Sequence, residues 1–446
     1  MSKLALLGGQ REMNESIPKR LLKWPIITEE DENAALEVIR DNSYSRTAIT
    51  EKFEKEFSEW IGTKYGVAFC NGTMALQTAM FAVGLGQGDE IICPTKTYWA
   101  SIAAAYTFGA TPVFCNIDDN LVIDPDDIER CITKNTKAIM VVHYFGYPCD
   151  MDRIMAIANK HDLKVIEDVS HAQGGLYKGK RLGTFGDVGA MSLMSGKSFA
   201  AGELGILVTN ERKYYERSIA YAHYDRNSPE YIIETDELKG YTGLPLGGLK
   251  GRANQLCVAL ARVQLKYYDE RIAEIRRAMN YFFDLLEGFP GIRPIRVDES
   301  TGSNMAGWYI PHCRYYPEEL GGLSVNRFAE AVKAEGVGCA PGGNFCLHTH
   351  SLFKDCNVYN TEKPTRIAFA DRDVREDDAL CDRSINIYCF STPWFKHFDD
   401  EAKEYIEKVA KVYRKVVENY KDLLEGDTNE PVEGRWFGTE NEKKKN

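Results

Sequence analysis

The sequence predicts an α/β protein: a large domain on a mostly parallel seven-stranded sheet, followed by a smaller α+β C-terminal domain. Three observations predict it. Seven short runs rich in Val, Ile and Phe are GVAFC (66–70), EIICP (90–94), TPVFCNI (111–117), AIMVVHYFG (138–146), KVIEDVS (164–170), VGAMSLM (188–194) and LGILVTN (204–210). Most are continuously apolar rather than alternating, as in strands covered on both faces. Helix-length segments such as MALQTAMFAVGL and MDRIMAIANKHD separate many of them, the rhythm of βαβ units with helices on both sides of the sheet.

Beyond the last run, the pattern changes. A long helical stretch covers Ala253 to Leu286 and ends at the breaker GFPG. Strand-like WYIPHCRYY, helical VNRFAEAVKAEG and a final amphipathic helix from Asp399 to Leu424 come next. The expected organisation is an N-terminal arm over 1–24, a large domain over 25–265, a small domain over 266–425 and a disordered polar tail over 426–446. No internal repeat is present.

A chain of 446 residues is long enough for two substantial cores. Its 55 basic and 66 acidic residues give a net charge of −11, which argues against non-specific binding to nucleic acid or anionic membrane. The N-terminus lacks the apolar core of a signal peptide, and no run is long enough to span a bilayer. The twelve cysteines are scattered without a CxxC pair and read as reduced core thiols. A cytoplasmic location is expected.

Three segments carry candidate chemistry. In CNGTMALQTAM a strand ends, Asn71-Gly72 turns, and Thr73 falls where a helix N-cap is expected. The first turn of such a helix offers free N–H groups and a positive dipole end to a phosphate. In VIEDVSHAQGG, Glu167-Asp168 ends an apolar strand and carries a carboxylate to the sheet edge, where it needs a partner. His171 comes three residues later. In MSLMSGKSFAAGELG an apolar strand runs into Ser-Gly-Lys, and Lys197 falls between two buried strands. Burial and a neighbouring cation would make its amine a nucleophile. Taken singly, each has a plain structural reading: Thr73 as a cap, His171 as a core histidine, Lys197 as a turn lysine facing water. Together they map to one sheet edge and supply phosphate, pyridinium and aldehyde contacts for one cofactor, pyridoxal 5′-phosphate (PLP).

With these residues in place, the sequence resembles the sugar aminotransferases of the DegT/DnrJ/StrS type, within the aspartate-aminotransferase fold. The likeness runs from WPIITEEDENAALEVIRDNSYS to the final helix, through CNGTMALQTA, ICPTKTYWAS, HYFGYPCDMDRI, VIEDVSHAQGG, SGKSFAAGELG and RANQLCVALARVQL. The resemblance implies that Lys197 forms a Schiff base with PLP and later shuttles a proton. It implies that Asp168 pairs with the ring nitrogen, Tyr98 stacks on the ring, and His171 lies against it. Thr73, Met74 and Ser192 are the implied phosphate contacts. A loop from the partner subunit of a homodimer usually brings an Asn and an Arg to the phosphate. Here Arg252 keeps the arginine and Lys250 stands at the asparagine position. The usual GEGG after the lysine is GELG (202–205). His348 of CLHTHSLF is a candidate substrate contact, with a surface-loop histidine as the alternative. With His350 it forms an HxH pair, but no further ligands at zinc spacing accompany it, and no metal is expected.

The implied activity is ping-pong transfer of an amino group from glutamate or glutamine to a keto sugar, often nucleotide-linked, or to a keto cyclitol. The SGKSFAAGELG segment leans toward the cyclitol and 3-amino-5-hydroxybenzoate branch. Alternatives are a PLP-dependent dehydratase or aromatising synthase of the 3-amino-5-hydroxybenzoate type, and a non-catalytic PLP-binding regulator. Relatives that deoxygenate sugars replace the lysine with histidine, which Lys197 argues against. A nicotinamide oxidoreductase is disfavoured because no GxGxxG joins a strand to a helix.

Overall fold

All seven apolar runs are strands in the computed structural model, which describes residues 3–45, 48–354, 362, 364 and 366–428. They are β1 (Tyr65–Phe69), β2 (Glu90–Pro94), β3 (Thr111–Cys115), β4 (Thr136–Val142), β5 (Lys164–Asp168), β6 (Val188–Ser192) and β7 (Gly205–Thr209). They form one sheet in the order β1-β7-β6-β5-β4-β2-β3. The pairs β2–β3, β2–β4, β4–β5 and β5–β6 are parallel, and β7 runs antiparallel to both β1 and β6. β1 and β6 therefore point the same way, and the C-terminal ends of β1, β2, β5 and β6 share one edge. In sheets of this kind that edge is where ligands collect.

The helices between the strands explain the unbroken apolar runs. Those that shape the large part are α1 (Glu29–Arg40), α2 (Ala48–Ile61), α3 (Gly72–Ala82), α4 (Pro125–Cys131), α5 (Met151–Lys160), α6 (Arg212–Ala222) and α7 (Gln255–Leu286). β2 and β3 are buried at every position. α1 opens with a capping box between Thr28 and Asp31. α4 opens with Asp124 as its cap and Pro125 in its first turn, where a missing N–H costs nothing. A buried Arg226–Glu54 fork, 2.8 and 2.9 Å, ties the segment after α6 to α2, and Glu54 also accepts from Ala68 N of β1.

The 32-residue helix α7 is about 48 Å long. It packs against α1 and α2 at one end and reaches the smaller part of the molecule at the other. The division expected at residue 265 thus falls inside one unbroken helix. The smaller part holds an antiparallel sheet in the order β8 (Ile292–Pro294), β9 (His312–Tyr315), β11 (Cys389–Ser391), β10 (Ala340–Pro341). With it go α8 (Val325–Ala334) and α10 (Asp400–Glu418), whereas α9 (Val374–Ala379) packs against β3 of the large sheet.

The N-terminal arm is stitched to this part. Glu335 accepts from Ala5 N and Glu12 N and from the Lys415 ammonium, and its carbonyl accepts from Met13 N. The final helix stops at Glu418, with a short turn of helix over Lys421–Leu424 beyond it. Of the expected tail, residues 429–446 lie outside the described residues.

In WYIPHCRYY only His312–Tyr315 is strand. Just before it Ala306, Trp308 and Ile310 take positive φ of 52°, 47° and 50°. Pro311, with no N–H to give, ends that segment where the ladder begins. Among the described residues no helix is long and apolar enough to cross a membrane, and the cysteines are free thiols.

Candidate active site

Four strand ends supply the candidate residues. At the end of β1 the chain turns through Asn71 into α3. The N-cap is Asn71, whose side chain accepts from Met74 N at 2.9 Å. Thr73, expected as the cap, instead sits inside the first helical turn. The reason is competition: Asn is at least as good a cap as Thr and comes first in the chain. The cap occupies the Met74 N–H, so the open first-turn donors lie at the Gly72–Thr73 end. Gly72 is pressed onto β6, and a Cβ there would stand 2.5 Å from Ser192 Cβ and 2.7 Å from its Cα. Ser192 and the start of α3 thereby form one pocket wall.

At the end of β5, alternation sends neighbouring carboxylates to opposite faces. Glu167 is structural. It accepts from His143 Nε2 and from the N–H groups of Gly183, Phe185 and Gly186. Burial works against its charge, yet the His143 contact and these N–H groups more than offset that and hold its pKa low. Asp168 faces the candidate site. Its Oδ2 accepts from Ser101 Oγ at 2.7 Å, and its Oδ1 from Ser170 N at 3.0 Å. Thr97 Oγ1 lies 2.9 Å from Ser101 Oγ, so the loop after β2 buttresses this carboxylate.

Lys197 sits in the loop between β6 and β7, half-buried. Burial lowers its pKa to about 8, with Asp168 pulling the other way. The expected neighbouring cation is not the cause; desolvation is. Lys197 Nζ stands 4.0 Å from the centroid of the Tyr309 ring. Its carbonyl accepts from Trp24 Nε1 at 3.0 Å. Gln173 braces the loop: its Nε2 donates to Ser192 O and its Oε1 accepts from Ser198 Oγ.

His171 is buried, 4.4 Å centroid to centroid from Tyr309. Burial lowers its pKa well below the ordinary value, and Lys197 and His312 add to this. The imidazole is therefore neutral. Nδ1 accepts from Phe145 N, which leaves Nε2 as the N–H donor.

Lys197, Asp168, His171, Ser192 and the Gly72–Thr73 turn thus share one edge. Tyr98 stands on the loop after β2 with its ring half in solvent, close enough to Tyr309 to raise that phenol's pKa further after burial has done so. Arg252 and Lys250 stand on the segment that leads into α7. Arg252 bridges to Phe69 at the end of β1 and pairs with Asp225 at 3.0 Å, while Lys250 is exposed. Both line a cavity of about 440 Å³ with Cys70, Glu203 and His223. His348 is drawn elsewhere: it is buried near Phe114, with Nε2 3.2 Å from Asp382 Oδ1.

Sequence reasoning missed Tyr309, Ser101, Ser170, Gln173 and Trp24. Ser101 had a signal, since it closes the motif PTKTYWAS. Tyr309 had none, because its placement depends on three left-handed residues just before a strand.

A family model described as the DegT/DnrJ/EryC1/StrS aminotransferase family matches residues 25–374. The chain is 31% identical over 428 residues to a putative L-glutamine:3-amino-2,3-dideoxy-scyllo-inosose aminotransferase of Streptoalloteichus tenebrarius, covering 93% of this chain and 99% of that protein. It is 37% identical over 239 residues to GDP-perosamine synthase of Escherichia coli O157:H7, covering 53% of this chain and 63% of that protein. Among solved structures it resembles an aminotransferase of Psychrobacter cryohalolentis, with a TM-score of 0.72, 27% identity, and coverage of 88% of this chain and 99% of the other. The fold is also that of 3-amino-5-hydroxybenzoic acid synthase, TM-score 0.73 at 23% identity over 88% of this chain and 98% of the other.

Proposed function

Since the chain belongs to the DegT/DnrJ/EryC1/StrS aminotransferase family, whose enzymes depend on PLP, we propose that it moves an amino group from L-glutamine or L-glutamate to a keto cyclitol or keto sugar, with PLP held on Lys197. The names of the relatives support this acceptor class. A relative aligned along nearly its whole length is named a putative L-glutamine:3-amino-2,3-dideoxy-scyllo-inosose aminotransferase. The observation that carries the reading is the half-buried Lys197, whose amine is lowered to about 8 at the edge where Asp168 and the Gly72–Ser192 wall meet.

The residues present fit the cofactor. Three functions are needed, and each has a side chain or backbone group in place. Lys197 Nζ supplies the amine for the aldehyde carbon. Asp168, fixed by Ser101 and Ser170 N, supplies a carboxylate for the ring nitrogen. Ser192 and the first turn of α3 supply hydroxyl and N–H donors for the phosphate, and the absence of a Cβ at Gly72 lets the two lie side by side. When bound, PLP supplies an electron sink for the carbon that loses its proton.

The chain's own groups do the rest. Lys197 Nζ, with a pKa close to neutrality, can both take a proton from a carbon and give it back. Asp168 keeps a negative charge beside a nitrogen that must stay protonated. Neutral His171 offers Nε2–H without adding positive charge next to Lys197. Tyr309 and Trp24 flank the lysine and limit water on that side. Arg252 and Lys250 are assigned to the phosphate of a second copy of the chain in a homodimer.

The test is the absorption spectrum of the purified enzyme before and after L-glutamine or L-glutamate. A visible cofactor band that bleaches with donor and is missing in Lys197→Ala supports the assignment. No band in PLP-supplemented protein overturns it. A keto cyclitol or keto sugar that restores the bleached band identifies the acceptor.

A further inference from the structure

At the open edge of the sheet, away from Lys197, three thiols and a carboxylate converge. Cys115 is the last residue of β3. Asp127 and Cys131 lie on one face of α4 at i and i+4. Their ligand atoms, with Cys115 Sγ, all fall within 4.8 Å of one another. A fourth donor comes from just beyond α9: Cys381 Sγ is 3.3 Å from Phe114 O, the same carbonyl that Cys131 Sγ approaches at 3.4 Å. All three cysteines are fully buried.

We propose that Cys115, Asp127, Cys131 and Cys381 form a structural site for one thiophilic divalent cation of the zinc class, which ties the α9 segment to edge strand β3. Tetrahedral zinc holds sulfur at about 2.3 Å and oxygen at about 2.0 Å, so its ligands stand roughly 3.5–3.8 Å apart. The three clustered atoms are within a small side-chain adjustment of that spacing. Thiolate-rich donor sets select zinc over magnesium or calcium.

Charge is also provided for. Three thiolates and a carboxylate around a divalent ion leave a surplus of negative charge. Arg130 lies against the cluster, forked onto Asp127 through Nε and Nη2 at 2.7 Å each, with Nη2 3.5 Å from Cys381 Sγ. That fork orients Asp127 and offsets half of the surplus, the usual task of a group behind the ligands.

The site would strengthen a junction already made by hydrogen bonds. Arg366 Nε donates to Pro112 O, Asn116 Nδ2 to Leu380 O, and Arg372 Nη1 pairs with Glu90. Cys381 lies beyond the residues matched by the family model, 25–374.

The experiment is a cobalt(II) titration of the reduced, PLP-loaded full chain, with zinc then added to displace the cobalt. The expected result is one ion per chain, with the visible ligand-field bands of a tetrahedral thiolate centre. Cys115→Ser and Cys131→Ser should each weaken uptake more than about tenfold, and Cys381→Ser should shift the bands. Cys257→Ser, outside the cluster, should leave cobalt uptake unchanged. Zinc should raise the melting temperature of the unsubstituted chain but not of Cys131→Ser. Absence of the bands at excess cobalt overturns the proposal. So do bands undiminished in both Cys115→Ser and Cys131→Ser, or a Cys115–Cys131 disulfide forming in place of uptake.

Discussion

Lys197 Nζ lies 4.0 Å from the centroid of the Tyr309 ring, so the amine rests on an aromatic face and not on a carboxylate. Tyr309 in turn packs edge-on to Trp394, at 6.1 Å, and beside His171. The segment that presents it contains three non-glycine residues in the left-handed region, one of them the β-branched Ile310. Strain of that kind costs on the order of 1–3 kcal/mol per residue and persists where the surroundings enforce it.

Replacing Tyr309 with Leu keeps apolar bulk but removes the ring quadrupole beside the amine. The ring face favours the charged ammonium, so its loss lowers the Lys197 pKa further. The pH dependence of PLP capture by the apoenzyme should move to lower pH by a few tenths of a unit. An unchanged profile would show that the ring does not act on the amine.

In the unsubstituted protein, capture of PLP by Lys197 should rise with pH around a midpoint near 8. The sign comes from burial: the free amine dominates above that value and the ammonium below it. Asp168 opposes the shift, so Asp168→Asn should move the midpoint downward while weakening retention of the cofactor. Stopped-flow absorbance across pH measures both.

Gly72→Ala places a Cβ 2.5 Å from Ser192 Cβ and 2.8 Å from Ser192 N. Backbone is in the way, so the β6–α3 wall must shift. The expected cost is about 1–3 kcal/mol of stability and at least tenfold weaker PLP retention. Equilibrium dialysis against PLP, with thermal unfolding alongside, separates the two effects.

Lys396 is a second buried amine, 4% exposed, its Nζ 3.4 Å from the centroid of the Trp394 ring and bonded to Trp394 O. Burial lowers its pKa to about 7. A lysine depressed in the folded state destabilises the fold below that pH, and the penalty fades as pH rises toward 10.5. Lys396→Met should therefore raise the melting temperature at pH 6 by several degrees and by much less at pH 10, with an upper bound of about 5 kcal/mol. Calorimetry at the two pH values checks this.

A homodimer in which Arg252 serves the neighbouring phosphate should show complementation. Lys197→Ala and Arg252→Ala chains, each inactive, should recover about a quarter of the activity when mixed and exchanged at equal amounts. No recovery from chains shown to exchange would place both residues in one subunit's site.

Continuous apolar runs could be read as buried strands because burial on two faces leaves no alternation, and all seven are strands. Lys197, Asp168 and Ser192 were legible for a similar reason: each stands at or just after a strand end, so local sequence carries its position. Asn71 displaced Thr73 as the cap because both can cap and only the chain's actual turn chooses between them. The contact of His348 Nε2 with Asp382 was not legible, since it spans 34 positions of chain.

The sequence by itself determined the order of the strands along the chain and the residue types at their ends. Those are local properties, written in periodicity and in the few residues after each apolar run. Tertiary structure alone decided that Tyr309 would lie under the Lys197 amine, that Glu167 would be consumed by the fold while Asp168 stayed available, and that Cys381 would meet Cys115 and Cys131. Each depends on contacts between distant segments, and burial of an amine or a thiol is set by what the whole chain packs around it, not by its neighbours in sequence.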